Sequence, residues 1–300
     1  MKIYKNLKKN LKKSVIAIGN FDGVHLGHQK VLKEARLKAK KNNLNFGVVS
    51  FEPVPVMFFN KNIKNHRIND YEQKVEHLKK ISPNFLRIIK FNKKFSNYEP
   101  KKFIQKIIYN NLDAKFVFVS KNFRFGKGRK GDIYTLKKFE KYFNYKTIIS
   151  SPLKKDKKIL SSTIIRKKIS LGKVKEVSNL LGRPWCIKGT VIKGEQRGRK
   201  IGFPTCNINL KEYVIPRLGV YSVKIKIGKK LKKGIANIGY RPTFSGKSIL
   251  LEVNIFGINS NLYKRMIIVN FIKFIRKEKK FKNINELRSQ ISKDIKKAKK

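Results

Sequence analysis

Apolar residues in the first part of the chain fall into two alternating patterns. Val15–Phe21, Phe46–Phe51 and Phe116–Val119 are short apolar runs, and each predicts a buried strand. Between them, Val31, Leu32, Ala35 and Ala39 recur at helical spacing, as do Tyr71, Val75, Leu78 and Ile81. Phe103, Ile104, Ile107 and Ile108 mark another helix, with Pro100 suited to its first turn. Thr163–Leu181 predicts a helical stretch interrupted at Gly172, and Gly182 stands where a helix ends on glycine. Strands alternating with helices imply a parallel sheet covered by helices.

The pattern changes after Gly182. Tyr221, Val223, Ile225 and Ile227 alternate with Ser222, Lys224 and Lys226, and Gly228-Lys229-Lys230 predicts the turn that follows. Ile187–Ile192, Leu231–Ile238, Ile249–Phe256 and Ile267–Ile275 are further candidate strands. Short strands with regular turns suggest a barrel or sandwich. Asn283 and Glu286 fit a capping box for a closing helix, with Leu287, Ile291 and Ile295 along one face. Two domains are therefore expected: 1–182, built on a Rossmann-like parallel sheet, and 183–300, rich in strand. No internal repeat is visible.

A length of 300 residues suits two domains, and 40% hydrophobic residues, with Phe at 21 and Tyr at 11, supply their cores. No stretch approaches the roughly 20 uncharged apolar residues of a membrane span. The basic segment Met1–Lys13 is not followed by an apolar run and cleavage-like site, so no signal peptide is expected. Two cysteines, Cys186 and Cys206, are too few for a disulfide framework, and a reducing cytoplasm is the simplest setting. A monomer or weak oligomer is expected.

The net charge of +56 admits two readings. A nucleic-acid binder would carry such a field, but as a patch or stripe. Here Lys, Asn and Ile recur everywhere, as codon drift toward A and T would produce, and no specific nucleic-acid partner is expected. The field still attracts small anions and costs self-repulsion.

The first candidate chemistry lies where the first strand meets the first helix: Gly19-Asn20-Phe21-Asp22-Gly23-Val24-His25-Leu26-Gly27-His28. Ligands of open parallel sheets bind at the carboxyl ends of strands. A helix N-terminus there offers backbone N–H groups and a positive dipole end to phosphate. Gly23 and Gly27 let a phosphate approach the backbone. His25 and His28, three apart, can aim at one spot and stabilise a departing pyrophosphate. A zinc pair would need more ligands, and no third His, Cys or Glu stands close in sequence. His66 and His77 lack such a setting.

His25-Leu26-Gly27-His28 resembles the His-x-Gly-His motif of the nucleotidyltransferase superfamily. The longer string resembles the adenylyltransferase module of bacterial bifunctional riboflavin kinase/FAD synthetases. Phe51-Glu52-Pro53-Val54-Pro55 is similar to that family's Phe-Glu-Pro-His-Pro, with Val54 in place of His. Asn122-Phe123-Arg124-Phe125-Gly126, continuing to Arg129, Gly131 and Asp132, resembles its flavin- and nucleotide-side loop. Ser161-Ser162-Thr163-Ile164-Ile165-Arg166 resembles its ATP-contacting Ser-Ser-Thr-x-x-Arg. Ser162 or Thr163 can cap a helix whose N–H groups face phosphate, and Arg166 adds a forked permanent cation.

The second candidate site has no Walker loop; Gly246-Lys247-Ser248 lacks a glycine at the required distance. In Gly198-Arg199-Lys200-Ile201-Gly202-Phe203-Pro204-Thr205-Cys206-Asn207, glycines bracket two cations, which suits an arch over phosphates. Thr205 and Asn207 alternate on an extended segment and offer hard oxygens to magnesium. A basic hairpin loop running into a strand fits the same residues. The string is similar to the riboflavin kinase signature Gly-Phe-Pro-Thr-Ala-Asn, with Cys206 for Ala. Gly182-Arg183-Pro184-Trp185, Gly219-Val220-Tyr221 and Gly234–Phe244 resemble the same family, as does the segment from Phe271 to Phe281. In Leu251-Glu252-Val253-Asn254-Ile255-Phe256, alternation sets Glu252 apart from the apolar residues, as a base for a hydroxyl proton. The family places its catalytic Glu there. Asn254, Gly257 and Asn261 stand where a His and two Asp are usual.

The resemblance spans about Val15 to Ile295. It implies a β-barrel kinase domain behind a nucleotidyltransferase domain, ATP and Mg2+ for both steps, and riboflavin, FMN and FAD as substrates and products. Gly19, Asn20, Phe21, Asp22, Gly23, Gly27, Ser162, Thr163, Arg166, Gly198, Arg199, Gly202 and Pro204 would contact ATP. Asn122, Phe123 and Arg124 would contact flavin.

Overall fold

Six parallel strands carry the first half of the protein: β1 (Lys2–Tyr4), β2 (Ser14–Ile18), β3 (Asn45–Glu52), β4 (Phe85–Lys90), β5 (Ala114–Ser120) and β6 (Lys146–Ser150). Their order is β1-β4-β3-β2-β5-β6. The computed structural model describes residues 1–5, 13–155, 158–194, 196–243, 246–258 and 260–299. Phe244, part of one motif above, lies outside them.

The expected strands β2, β3 and β5 are present, and β1, β4 and β6 complete the sheet. Arg87 interrupts the apolar run of β4, which hides this strand from a periodicity reading. Its side chain is nevertheless fully buried, with the guanidinium over the Tyr4 ring at 5.3 Å. Helix α1 (Leu26–Lys41) follows β2 and buries Leu32, Ala35 and Ala39. The helix expected around Phe103 begins with Pro100 in its first turn, then widens into a π-helical stretch, Ile104–Asn111. The wider turns still bury Ile104, Ile107 and Ile108 completely.

After the two-residue strands β7 (Lys154–Lys155) and β8 (Lys158–Ile159) come helices Ser162–Ser170 and Val174–Leu181. The break falls at Gly172, and Gly182 ends the second helix in left-handed geometry, φ 70°. A closed antiparallel barrel follows: β9 (Cys186–Ile192), β10 (Cys206–Asn209), β11 (Gly219–Ile227), β12 (Lys230–Thr243), β13 (Gly246–Ile255) and β14 (Met266–Arg276). Neighbours around it run β10-β13-β12-β11-β14-β9. Closure removes the exposed strand edges that an open sheet would present.

Helix Ile284–Lys299 closes the chain. Asn283 Oδ1 accepts from Glu286 N at 2.9 Å, while the Glu286 carboxylate accepts from Lys282 N at 3.0 Å, one residue before the expected cap partner. Ile291, Ile295 and Ala298 pack on Val220 and Ile235. Asp294, 1% exposed, is paired to Arg276 at 2.8 Å.

Contacts divide the chain into two compact units, Met1–Lys64 with Lys74–Ser161, and Asn65–Gln73 with Ser162–Lys300. Within the second, segment 65–73 is tied to the barrel: Trp185 Nε1 donates to Ile68 O at 2.9 Å, and Tyr213 OH bonds Asp70 Oδ2 at 2.8 Å. Among the described residues no helix is long and apolar enough to cross a membrane.

Candidate active sites

Strand β2 is where the sheet order reverses, since β3 and β4 lie on one side of it and β5 and β6 on the other. Its carboxyl end is therefore the expected ligand crevice, and the Gly19–His28 turn leaves from there. The turn is tight: φ is 49° at Phe21, 82° at Gly23 and 38° at Val24. A β-branched residue in left-handed geometry costs on the order of 1–3 kcal/mol. Burial holds it there, with Phe21 3% and Val24 1% exposed.

His25 caps α1. Its Nδ1 accepts from His28 N at 3.3 Å, which leaves the proton of the neutral ring on Nε2. Its ring is 3% exposed and stacks on His28, centroids 3.6 Å apart and planes 20° apart. Phe21 meets the half-buried His28 edge-on at 5.3 Å. Gly27 and Gly19 acquire a role that the phosphate argument missed. A Cβ on Gly27 would lie 3.1 Å from the His25 ring, and one on Gly19 would lie 3.2 Å from the Phe21 ring. Asp22 is buried, and the carbonyl of exposed Asn20 accepts from Ser50 Oγ at 3.2 Å.

Strand β5 neighbours β2, so the loop after it leaves from the same end of the sheet. There Asn122 is exposed, Phe123 stacks on Phe125 at 5.5 Å, and Arg124 pairs with Asp132 at 3.2 Å. Asp132 caps helix Ile133–Lys138. Its bond from Thr135 N, with the Thr135 hydroxyl and Arg124 beside it, holds the carboxyl below the ordinary aspartate range. Val54 is 3% exposed before helix Pro55–Phe59 and gives that helix no side-chain cap.

Ser162 and Thr163 lie inside the first turn of helix Ser162–Ser170, not in front of it. Arg166 Nε donates to the His66 carbonyl at 2.9 Å within the second unit.

In the barrel, Leu251 and Val253 are fully buried, and Glu252 lies on the opposite face of β13. Register places Glu252 directly across from Asn207 on β10 and from Asn237 on β12. Asn237 is a site residue not expected from the sequence, although its polarity between Ala236 and Ile238 on an alternating strand is a usable signal. Asn207 is 7% exposed, and its Oδ1 has no hydrogen-bond partner among the described residues. Gly194 makes room for it: a Cβ there would lie 1.9 Å from Asn207 Nδ2.

Thr205 precedes β10. A Cβ on Gly198 would lie 3.3 Å from Thr205 Oγ1 and 2.5 Å from Phe203 O, so only glycine fits the short turn Arg197–Lys200. Phe203 N donates to Gly198 O at 2.8 Å, and Asn254 Nδ2 donates to Pro204 O at 2.7 Å. Gly202 is exposed, φ 84°. Arg199, Pro204, Thr205, Cys206, Val253 and Tyr263 help line a cavity of about 290 Å³. Glu252 and Asn207 are not in that lining. Burial raises the Cys206 thiol above its ordinary pKa.

The family profile for FAD synthetase matches residues 7–164, and that for riboflavin kinase matches residues 181–300. The chain is 43% identical over 295 residues to the bifunctional riboflavin kinase/FMN adenylyltransferase of Buchnera aphidicola subsp. Schizaphis graminum, covering 97% of this chain and 94% of that one. A protein of the same description from Haemophilus influenzae is 37% identical, covering 98% and 96%. One from Bacillus subtilis is 39% identical, covering 96% and 92%. A solved structure from Streptococcus pneumoniae, described as a macrolide-efflux protein, aligns with TM-score 0.87 and 30% identity over 99% of this chain and 98% of that one. Profile matches on both halves and near-full-length identity place this chain in the bifunctional riboflavin kinase/FMN adenylyltransferase family.

Proposed function

We propose that this chain performs both steps named for its relatives: ATP-dependent phosphorylation of riboflavin to FMN, then adenylyl transfer from ATP to FMN, giving FAD and pyrophosphate. The observation that carries this reading is that two different flavin-enzyme profiles match, one over the parallel sheet and one over the barrel. The efflux description of the pneumococcal structure is not carried over, because the profiles and the relatives above agree on flavin chemistry.

In the proposed kinase step, Glu252 takes the proton of the ribityl 5′-hydroxyl as that oxygen attacks the γ-phosphorus, and ADP departs. Gly198, Arg199, Gly202 and Pro204 form the phosphate arch. Magnesium fits the donor set. Asn207 presents a buried Oδ1 that has no partner among the described residues, and Thr205 adds a second hard oxygen. Such an ion, when bound, neutralises charge on the ATP phosphates.

In the adenylyl step, an oxygen of the FMN phosphate attacks the α-phosphorus and pyrophosphate departs. His25 and His28 stabilise the charge that develops on it, the turn from Gly19 to Gly27 holds phosphate, and Ser162, Thr163 and Arg166 contact ATP. Asn122, Phe123 and Arg124 contact the flavin. The activities divide at residue 182, adenylyl transfer belonging to 1–182 and kinase chemistry to 183–300. Both cysteines are free thiols, which suits a cytoplasmic enzyme. A monomer or weak oligomer suffices for this scheme, and it needs no nucleic acid. Incubation with riboflavin, ATP and magnesium, followed by chromatography, should show FMN rising first and FAD after it. Absence of both products would defeat the proposal.

A further inference from the structure

Lys74 is buried, 3% exposed, on helix Tyr71–Lys79, and among the described residues it is the only buried lysine. In a chain with 74 basic and 18 acidic residues, cations are abundant on the surface and costly inside. Its carboxylate partner, Glu52, is 26% exposed, so the pair returns little of the cost of burying the lysine, whose presence calls for another reason. The ammonium lies 3.4 Å from Ser50 Oγ and 3.4 Å from Glu52 Oε2, both on the carboxyl half of β3. Ser50 and Glu52 alternate along the strand and so share a face. Ser50, itself fully buried, passes the contact on: its hydroxyl donates to the Asn20 carbonyl at 3.2 Å. Gly19 N donates to Val49 O at 3.1 Å, so the start of the turn is pinned to β3 at two consecutive residues.

We propose that Lys74 is a positioning residue for adenylyl transfer, acting through Ser50 on the turn that carries His25 and His28. This rests on the adenylyltransferase reading above. An ammonium is a donor only. It therefore fixes the direction of the chain: Ser50 accepts from Lys74 and must turn its own proton to Asn20. Glu52 holds the other side of the ammonium and keeps it aimed. Loss of the ammonium frees the Ser50 hydroxyl to rotate and releases the entry of the phosphate turn.

The test is steady-state kinetics of both activities in the same full-length chain. Lys74→Met is expected to lower kcat for FMN-to-FAD conversion by about tenfold or more, with KM for ATP moved far less and the riboflavin kinase rate kept. Ser50→Ala should lower the same kcat in the same way, and it decides the matter if Lys74→Met does not fold. Adding Glu52→Gln to Lys74→Met should not restore the rate. The proposal is overturned if either single variant converts FMN as the parent does, or if Glu52→Gln restores Lys74→Met, which would reduce the lysine to a counter-charge. A parent chain that makes no FAD from FMN would instead defeat the adenylyltransferase reading itself.

Discussion

The sheet and the barrel make their sites in opposite ways. At β2 the phosphate turn and both histidines come from one run of ten residues, Gly19 to His28, and their geometry is local: a turn, a cap and one helical step. In the barrel, Glu252, Asn207 and Asn237 come from three strands far apart in sequence, and only ladder register places them side by side. A local site depends on the backbone of its own turn. A site built by register depends on the whole sheet and on small residues that clear space for it. The two should therefore fail independently and respond to different kinds of substitution.

The largest separation is expected from the proposed base. Glu252→Gln should reduce riboflavin phosphorylation by about 10²–10⁴-fold while leaving FMN-to-FAD conversion at the parental rate, read by chromatography of each half-reaction. A variant losing both equally would erase the distinction between the sites. His28→Ala should do the converse, lowering FAD formation by about 10²–10³-fold with FMN formation kept.

A smaller effect sharpens the register argument. Gly194→Ala places a methyl 1.9 Å from the present position of Asn207 Nδ2, so Asn207 must move. Kinase kcat should fall by about tenfold or more, with FAD formation from FMN unaffected. Unchanged kinase kinetics would show that Asn207 has no fixed role.

The smallest effect concerns Cys206. Burial raises its thiol pKa, so less thiolate is present at any given pH than for a free cysteine. Alkylation by iodoacetamide, followed by mass spectrometry, should be slow near neutrality and should reach half its plateau rate only above about pH 8.5, where a free thiol is half ionised. A rate that levels off below that pH would contradict the burial argument.

The same contrast explains what the sequence made legible. The turn after β2 was readable because Gly, His and a strand-to-helix change sit together in one segment. What it hid was the reason for Gly19 and Gly27, which clear space for the Phe21 and His25 rings as well as for phosphate. Strand β4 was hidden by Arg87, a buried charge in an otherwise apolar run. In the barrel, alternation located Glu252 on the side away from Leu251 and Val253. No pattern within a single strand could pair it with Asn207 and Asn237, because pairing is set by hydrogen bonds to other strands. Lys74 was invisible for a related reason: its charge lies on a helix but acts on a strand.

Mixing tests the central claim, two sites that work independently, most directly. Glu252→Gln and His28→Ala proteins, each alone with riboflavin, ATP and magnesium, should make little FAD, the first because it forms FMN about 10²–10⁴-fold more slowly and the second because it adenylates FMN about 10²–10³-fold more slowly. Combined, they should produce FAD, since FMN released by one is adenylated by the other. Two folded variants that still yield no FAD together, although one releases FMN, would contradict the account.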